Sequence, residues 1–131
     1  MLNYMRAKRV FIFDAAHSLP GYHGKCSSMH GHTYKLEVVV SRLDKGVIFG
    51  GSSDGMIFDF RHLNQIVKDE IIDKVDHRNL NEVFPFRTTS ENLAQHIFDV
   101  LTDKIQQHEI VVEQVILWET QNSCIEVGIC K

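Results

Sequence analysis

The sequence is poor in cysteine and proline, and it has no long apolar run. It contains two prolines and three cysteines, Cys26, Cys124 and Cys130. Three thiols cannot all pair within one chain, so a disulfide-stapled scaffold is excluded and we expect a reducing, cytoplasmic setting. No apolar stretch approaches the ~20 residues that a membrane helix needs. Basic residues from Arg6 onward interrupt the N-terminus, so we predict no signal region.

An excess of positive charge is also missing. Lysine and arginine number 14 against 17 aspartates and glutamates, giving a net charge of −3. This balance offers no general electrostatic attraction to nucleic acid or anionic lipid. The 131 residues are 44% hydrophobic and 24% charged, which predicts one globular domain over residues 1–131. Eight histidines stand out in this otherwise ordinary composition.

Residue periodicity predicts four strands and two helices in the order ββααββ. We predict strands at 7–15, 32–41, 111–119 and 124–130. Helices are predicted at 61–74 and 88–106, the second beginning with a capping box of Thr88 and Glu91. Hairpin-paired strands favour a four-stranded antiparallel sheet with both helices on one face, an α+β fold.

Three histidines are predicted to converge at one end of the first hairpin. His30 and His32 are two residues apart in a strand, so both project from the same face. His17 lies at the exit of the preceding strand, which an antiparallel partner brings beside the entry of the next. Three imidazoles with a vacant fourth position are typical of catalytic zinc, whereas structural zinc usually has four protein ligands. Spacing alone leaves open that these are ordinary histidines.

Six segments resemble, in order, the motifs of one enzyme family. They are Phe13–His17, Cys26 with His30–Tyr34, Gly55–Phe60, Asp76–Asn81, Thr89–Asn92 and Leu117–Thr120. They resemble the 6-pyruvoyltetrahydropterin synthase and 6-carboxytetrahydropterin synthase family over nearly the whole chain. The chain departs from the family at Thr88, where proline is common, and we expect this to change only the start of the second helix. The loop over residues 46–53 is also richer in glycine.

The resemblance implies the tunnelling fold, in which trimers close a continuous antiparallel barrel and two trimers stack into a hexamer. A lone four-stranded sheet exposes two edges, which ring closure removes. The implied partners are further copies of this chain and a small pterin triphosphate, with no nucleic acid or membrane.

The interval between Cys26 and His30 looks like that of the bacterial 6-carboxytetrahydropterin synthase branch, which acts in queuosine biosynthesis. The implied reaction is zinc-dependent conversion of 7,8-dihydroneopterin triphosphate to 6-carboxy-5,6,7,8-tetrahydropterin, with release of acetaldehyde and triphosphate. Two alternatives stay open: a 6-pyruvoyltetrahydropterin synthase, and a non-catalytic pterin-binding or metal-binding protein on the same fold.

The resemblance also assigns roles to residues. Cys26 is the expected general base, because a neighbouring dication favours its thiolate. Asp76 and His77 are expected to move protons, with Cys26 and His77 meeting from different subunits. Glu119 is expected to accept two adjacent N–H groups of the pterin, near Thr89 and Ser90. Without the resemblance, these would be an incidental cysteine, a solvated turn, a strand-end glutamate and a helix cap. The candidates for holding triphosphate are Lys25, Lys35 and Arg78.

Overall fold

A five-stranded sheet carries the fold in the computed structural model, which describes residues 3–130 apart from the side chain of Cys26. The strands are β1 (Ala7–His17), β2 (His30–Arg42), β3 (Arg78–Asn79), β4 (Ile110–Thr120) and β5 (Ser123–Gly128). Their order across the sheet is β3-β1-β2-β4-β5. All neighbours are antiparallel except β3, which pairs parallel to β1 at Ala15 and Ala16.

Alternating side chains divide the sheet into a covered face and an open face. On β2, Tyr34, Leu36 and Val38 are fully buried, whereas Thr33 and Lys35, which flank Tyr34, are exposed. Burying each such large side chain stabilises the fold by about 1.5–3 kcal/mol. Since the side-chain period is two, this pattern fixes which face of β1 and β2 packs against the helices.

Two long helical segments cover that face. The first begins at Asp59, whose side chain accepts the Arg61 N–H, and comprises α1 (Phe60–Val67), a π-helical turn (Lys68–Ile72) and α2 (Asp73–Val75). The second is α4 (Ser90–Ile105), and α3 (Leu80–Val83) is a single turn between them. Their inward residues join the strands in one core: Leu63, Val67, Ile71, Leu93, Ile97, Leu101 and Ile105.

The predicted α+β fold class is confirmed, with a fifth strand in addition to the four expected. β3 and α3 lie in the connection 76–87, for which no regular structure was predicted. Elements of two and four residues are shorter than the window in which a hydrophobic period can be recognised. The prediction of one domain over residues 1–131 stays a prediction.

The predicted capping box of Thr88 and Glu91 is wrong by one residue. Thr89 is the N-cap of α4, and its hydroxyl accepts the Asn92 N–H at 3.2 Å. Thr88 instead turns into the protein and is only 1% exposed. No helix among residues 3–130 is long and apolar enough to cross a bilayer.

Candidate metal centre

Three imidazoles converge where β1 ends and β2 begins. The register pairs His17 with His30 and Ala15 with His32, so all three side chains lie on the covered face. One nitrogen from each ring lies within 4.8 Å of the other two. The ring centroids are 4.7 Å apart for His17 and His30, 5.3 Å for His17 and His32, and 4.8 Å for His30 and His32.

Backbone carbonyls select which nitrogen faces the centre. The Nδ1–H of His17 donates to the Thr88 carbonyl at 2.8 Å, with the Thr88 hydroxyl oxygen 3.3 Å away. The Nδ1–H of His30 donates to the Ser28 carbonyl at 2.7 Å. Since a neutral imidazole carries one proton, these bonds place the lone pair of each ring on Nε2. This outer-shell arrangement is common around metal-ligating histidines.

The donor set fits a divalent transition metal. The Nε2 atoms of His17, His30 and His32 are buried, and none has a hydrogen-bond partner among the described residues. Each buried unsatisfied polar atom costs about 1–3 kcal/mol, so three of them would consume much of a typical domain's stability of about 5–15 kcal/mol. Three neutral imidazoles with an open position suit zinc, and one shared ion would satisfy all three atoms at once.

Burial also favours the ligating form of His32. Desolvation lowers the pKa of His32, and His30 and His17 act in the same direction, whereas the charge of Glu119 opposes them. The ring therefore stays neutral to lower pH than a free histidine, and neutral imidazole is the form that binds metal.

Glu119 lies beside the three histidines, near the end of β4. Its carboxylate oxygens lie 4.0 Å from His17 Nε2 and 3.8 Å from His32 Nε2. The Ser90 hydroxyl, in the first turn of α4, donates to Oε2 at 2.7 Å. One oxygen is thereby held in place while the carboxylate keeps capacity to accept further N–H donors.

A cavity of about 460 Å³ opens at this carboxylate. Thr89 and Ser90 line it from α4 and its cap, together with Arg87, and Tyr22 lines it from the loop after β1. The structure thus brings Glu119, Thr89 and Ser90 to one cavity, and Glu119 links it to His17 and His32. Its volume falls within the range of ordinary small-molecule sites.

Tyr34 forms part of the wall behind the histidines. It is fully buried, its ring stacks on Phe13 with centroids 4.9 Å apart, and it meets the His32 ring edge-on at 5.6 Å. Burial raises the pKa of its phenol, and the nearby charge of Glu119 raises it further. The hydroxyl therefore stays protonated and packs the His32 ring in a fixed orientation.

Asp76 and His77 lie apart from this cavity, at the outer edge of β1. Asp76 Oδ1 accepts the Asp14 N–H at 3.0 Å and lies 3.1 Å from His77 Nδ1. The bond from Asp14 is the main cause that lowers the pKa of the Asp76 carboxyl. His77 has the left-handed φ of 59°, its N–H donates to the Asp14 carbonyl at 2.6 Å, and its side chain is 78% exposed.

This pair belongs to the open face of the sheet. Asp14 and Thr33 project there, opposite to His17 and His32, and their side chains are hydrogen-bonded to each other. A depression of about 500 Å³ is lined by Asp14, Thr33 and His77 and reaches the His32 position on β2. Neither Asp76 nor His77 lines the Glu119 cavity, so one chain does not bring the predicted proton-transfer residues to the predicted pterin anchor.

The backbone of Cys26 lies in a 3₁₀ turn (Lys25–Ser27) just before β2. Its side chain lies outside the described part of the chain. The Ser28 carbonyl that holds His30 is two residues further on, so this turn is tied to the histidine cluster through the backbone.

Sequence reasoning missed Thr88, Ser28 and Arg87. The family departure at Thr88 was expected to alter only the helix start, but this residue holds His17 through its carbonyl and hydroxyl. Hydrogen bonds to backbone carbonyls cannot be predicted from residue types, because every residue has a carbonyl. A threonine that is buried beside a helix cap is visible only once the fold is known.

Comparisons with known proteins agree with this geometry. Residues 6–129 match the family described as 6-pyruvoyl tetrahydropterin synthase. The 6-carboxy-5,6,7,8-tetrahydropterin synthase of Haemophilus influenzae is 35% identical over 92% of this chain and 96% of its own. The dihydroneopterin monophosphate aldolase of Pyrococcus furiosus is 31% identical over 94% of this chain and 98% of its own. The structure of Caenorhabditis elegans 6-pyruvoyl tetrahydropterin synthase matches with a TM-score of 0.78 and 27% identity, covering 99% of this chain and 100% of that one.

The histidine cluster predicts a metal content that can be measured directly. We expect purified protein to hold about one zinc per chain after dialysis. His32→Ala removes one of the three candidate ligands and should reduce the zinc content to near zero. Elemental analysis by inductively coupled plasma mass spectrometry measures both.

The control is His62→Ala, which removes an exposed imidazole of α1. It should leave the zinc content unchanged. If His62→Ala loses the metal while His32→Ala keeps it, the metal site has been assigned to the wrong residues.

Proposed function

The chain belongs to the 6-pyruvoyl tetrahydropterin synthase family, and from this premise we propose that it is a zinc-dependent lyase acting on 7,8-dihydroneopterin triphosphate. The proposed products are 6-carboxy-5,6,7,8-tetrahydropterin, acetaldehyde and triphosphate. The observation that carries the proposal is the placement of the Glu119 carboxylate, which lines the cavity, 3.8 Å from Nε2 of His32 and 4.0 Å from Nε2 of His17, two of the three clustered histidines. The relative from Haemophilus influenzae, named 6-carboxy-5,6,7,8-tetrahydropterin synthase, supports this branch of the family.

Glu119 is the proposed anchor of the pterin ring. A pterin presents adjacent N–H donors, and one carboxylate can accept two such bonds side by side. The Ser90 hydroxyl holds Oε2 at 2.7 Å, which fixes the plane of the carboxylate before the ligand arrives. Since Glu119 is close to His17 and His32, a ring anchored there directs its side chain toward the histidine cluster.

His17, His30 and His32 are the proposed metal ligands, each through Nε2. A zinc ion held there would act as a Lewis acid toward the hydroxyl oxygens of the substrate side chain. Thr88 and Ser28 keep two of the rings in the ligating tautomer. Cys26 is the proposed general base that removes a proton from the substrate side chain, because its turn leads directly into His30.

Asp76 and His77 are proposed to return protons from a neighbouring copy of the chain. Asp76 orients the His77 ring through Nδ1, and an exposed imidazole with its other nitrogen free is suited to donate a proton. Neither residue lines the Glu119 cavity within one chain. This separation supports a site shared between subunits.

Open sheet edges support assembly into a homo-oligomer. β3 covers β1 only at Ala15 and Ala16, so residues 7–14 have no strand partner on that edge within the described chain. The outer edge of β5 (Ser123–Gly128) is likewise unpaired among residues 3–130. Pairing these edges between copies would close a barrel, and we propose the hexamer of two stacked trimers that the family resemblance implies.

The proposed setting is the reducing cytoplasm, with queuosine biosynthesis as the pathway. Cys124 and Cys130, the cysteines whose side chains are described, are both free thiols.

Product analysis tests the proposed reaction. Zinc-loaded protein incubated with 7,8-dihydroneopterin triphosphate is expected to yield acetaldehyde and 6-carboxy-5,6,7,8-tetrahydropterin in equal amounts, measured by derivatisation and mass spectrometry. Glu119→Gln is the matched variant, because it keeps the side-chain shape but replaces one accepting oxygen with an NH2 donor, and it should give little product. A 6-pyruvoyl product without acetaldehyde would overturn the branch assignment, and absence of any turnover would favour a binding protein.

A second prediction concerns the base. Cys26→Ala should lower kcat about 100-fold to 10,000-fold, the usual contribution of a positioned general base, while KM changes little. Cys130→Ala is the control, because it removes an exposed free thiol that does not line the Glu119 cavity. Steady-state kinetics that leave kcat of the Cys26 variant at the wild-type value would refute the assignment.

A further inference from the structure

Arg87 is the one basic residue among the described residues that line the Glu119 cavity. Its backbone is held firmly, since its carbonyl accepts the Thr89 N–H at 2.9 Å and Asn92 Nδ2 at 2.9 Å. Within residues 3–130 its guanidinium has no ion-pair partner, and its side chain is exposed. Arg87 therefore places at the cavity a positive charge that has no ion-pair partner among the described residues.

The other basic candidates lie elsewhere. Lys35 is on the open face, with its ammonium 4.9 Å from the centre of the Trp118 ring. Arg78 lines the depression beside His77. Lys25 lies exposed in the 3₁₀ turn before β2 and does not line the Glu119 cavity.

The cavity needs a cation if it is to take a phosphorylated ligand. Two carboxylates line it, Glu119 from β4 and Glu91 from the first turn of α4. Either would repel a phosphate group placed beside it. The planar guanidinium of arginine presents paired N–H donors that match phosphate oxygens. A cavity that carries both carboxylates and one guanidinium thus suits a ligand with a donor-rich ring and an anionic tail.

We infer that Arg87 is a specificity-determining residue that binds the phosphate tail of the pterin substrate. This rests on the proposed function in so far as the ligand is a pterin with a phosphorylated side chain. Within one chain it assigns the tail to Arg87, since Lys25, Lys35 and Arg78 do not line the Glu119 cavity.

Two oxidised pterins that do not react test the assignment by binding alone. Neopterin and neopterin triphosphate share the ring and the hydroxylated side chain and differ only in the phosphates. Their dissociation constants are measured by pterin fluorescence on zinc-loaded wild type, Arg87→Ala, Arg87→Lys and Lys104→Ala. Lys104→Ala removes one positive charge from the exposed last turn of α4, which does not line the Glu119 cavity, and serves as the charge-matched control.

We expect Arg87→Ala to weaken neopterin triphosphate about 10-fold to 100-fold, the range for loss of a charged hydrogen-bond pair, and to change neopterin less than about 2-fold. Arg87→Lys should retain part of the affinity, and Lys104→Ala should match wild type. An equal loss for both pterins would mean that the guanidinium contacts the ring, and no loss would mean that it contacts neither; both results overturn the inference.

Failure of the proposed reaction is distinguishable from failure of this inference. If product analysis gives another product while the Arg87→Ala loss stays confined to the phosphorylated pterin, the inference stands and the branch assignment falls. If wild type binds neither pterin, both fall.

Discussion

The register between β1 and β2 is the constraint on which the site depends. It pairs His17 with His30 and places His32 two residues further along the same face, so three imidazoles meet at one point. A shift of one residue would send His30 and His32 to the open face. The register is in turn fixed by Phe13, Tyr34 and Leu36, whose burial is possible only on the side covered by helices. The same register is therefore needed both to pack the core and to bring the three histidines together.

The start of α4 couples the second layer of the fold to the same point. Thr88 holds His17, Thr89 caps the helix, and Ser90 holds the Glu119 carboxylate, all within three consecutive residues. A helix N-terminus thus positions both a proposed metal ligand and the proposed ring anchor. Displacing this segment would disturb both, because the outer-shell bonds of a metal ligand set its orientation and basicity. Arg87 precedes the same segment, and its carbonyl accepts hydrogen bonds from the Thr89 N–H and from Asn92 Nδ2.

Much of the fold could be predicted because its long elements carry strong periods. β2 alternates over residues 33–38, and α4 buries Leu93, Ile97 and Leu101 at helical spacing. β3 and α3 could not be predicted, because they are too short for a period to show. The helix cap was displaced by one residue because Thr88 and Thr89 both satisfy the capping pattern. For the site, residue types and strand spacing indicated the three histidines, but the face of Asp76 and His77 depends on how a loop returns to the edge of β1.

The zinc coordination sphere tests the central claim most directly. X-ray absorption at the zinc edge of the purified protein reports the number, type and distance of the ligand atoms without relying on activity. Three imidazole nitrogens at about 2.0–2.1 Å with one further light-atom ligand are predicted, as for an open three-histidine site. A sulfur scatterer at about 2.3 Å, or fewer than three imidazoles, would contradict the account, because Cys26 would then be a ligand rather than a base or the histidines would not converge on the ion.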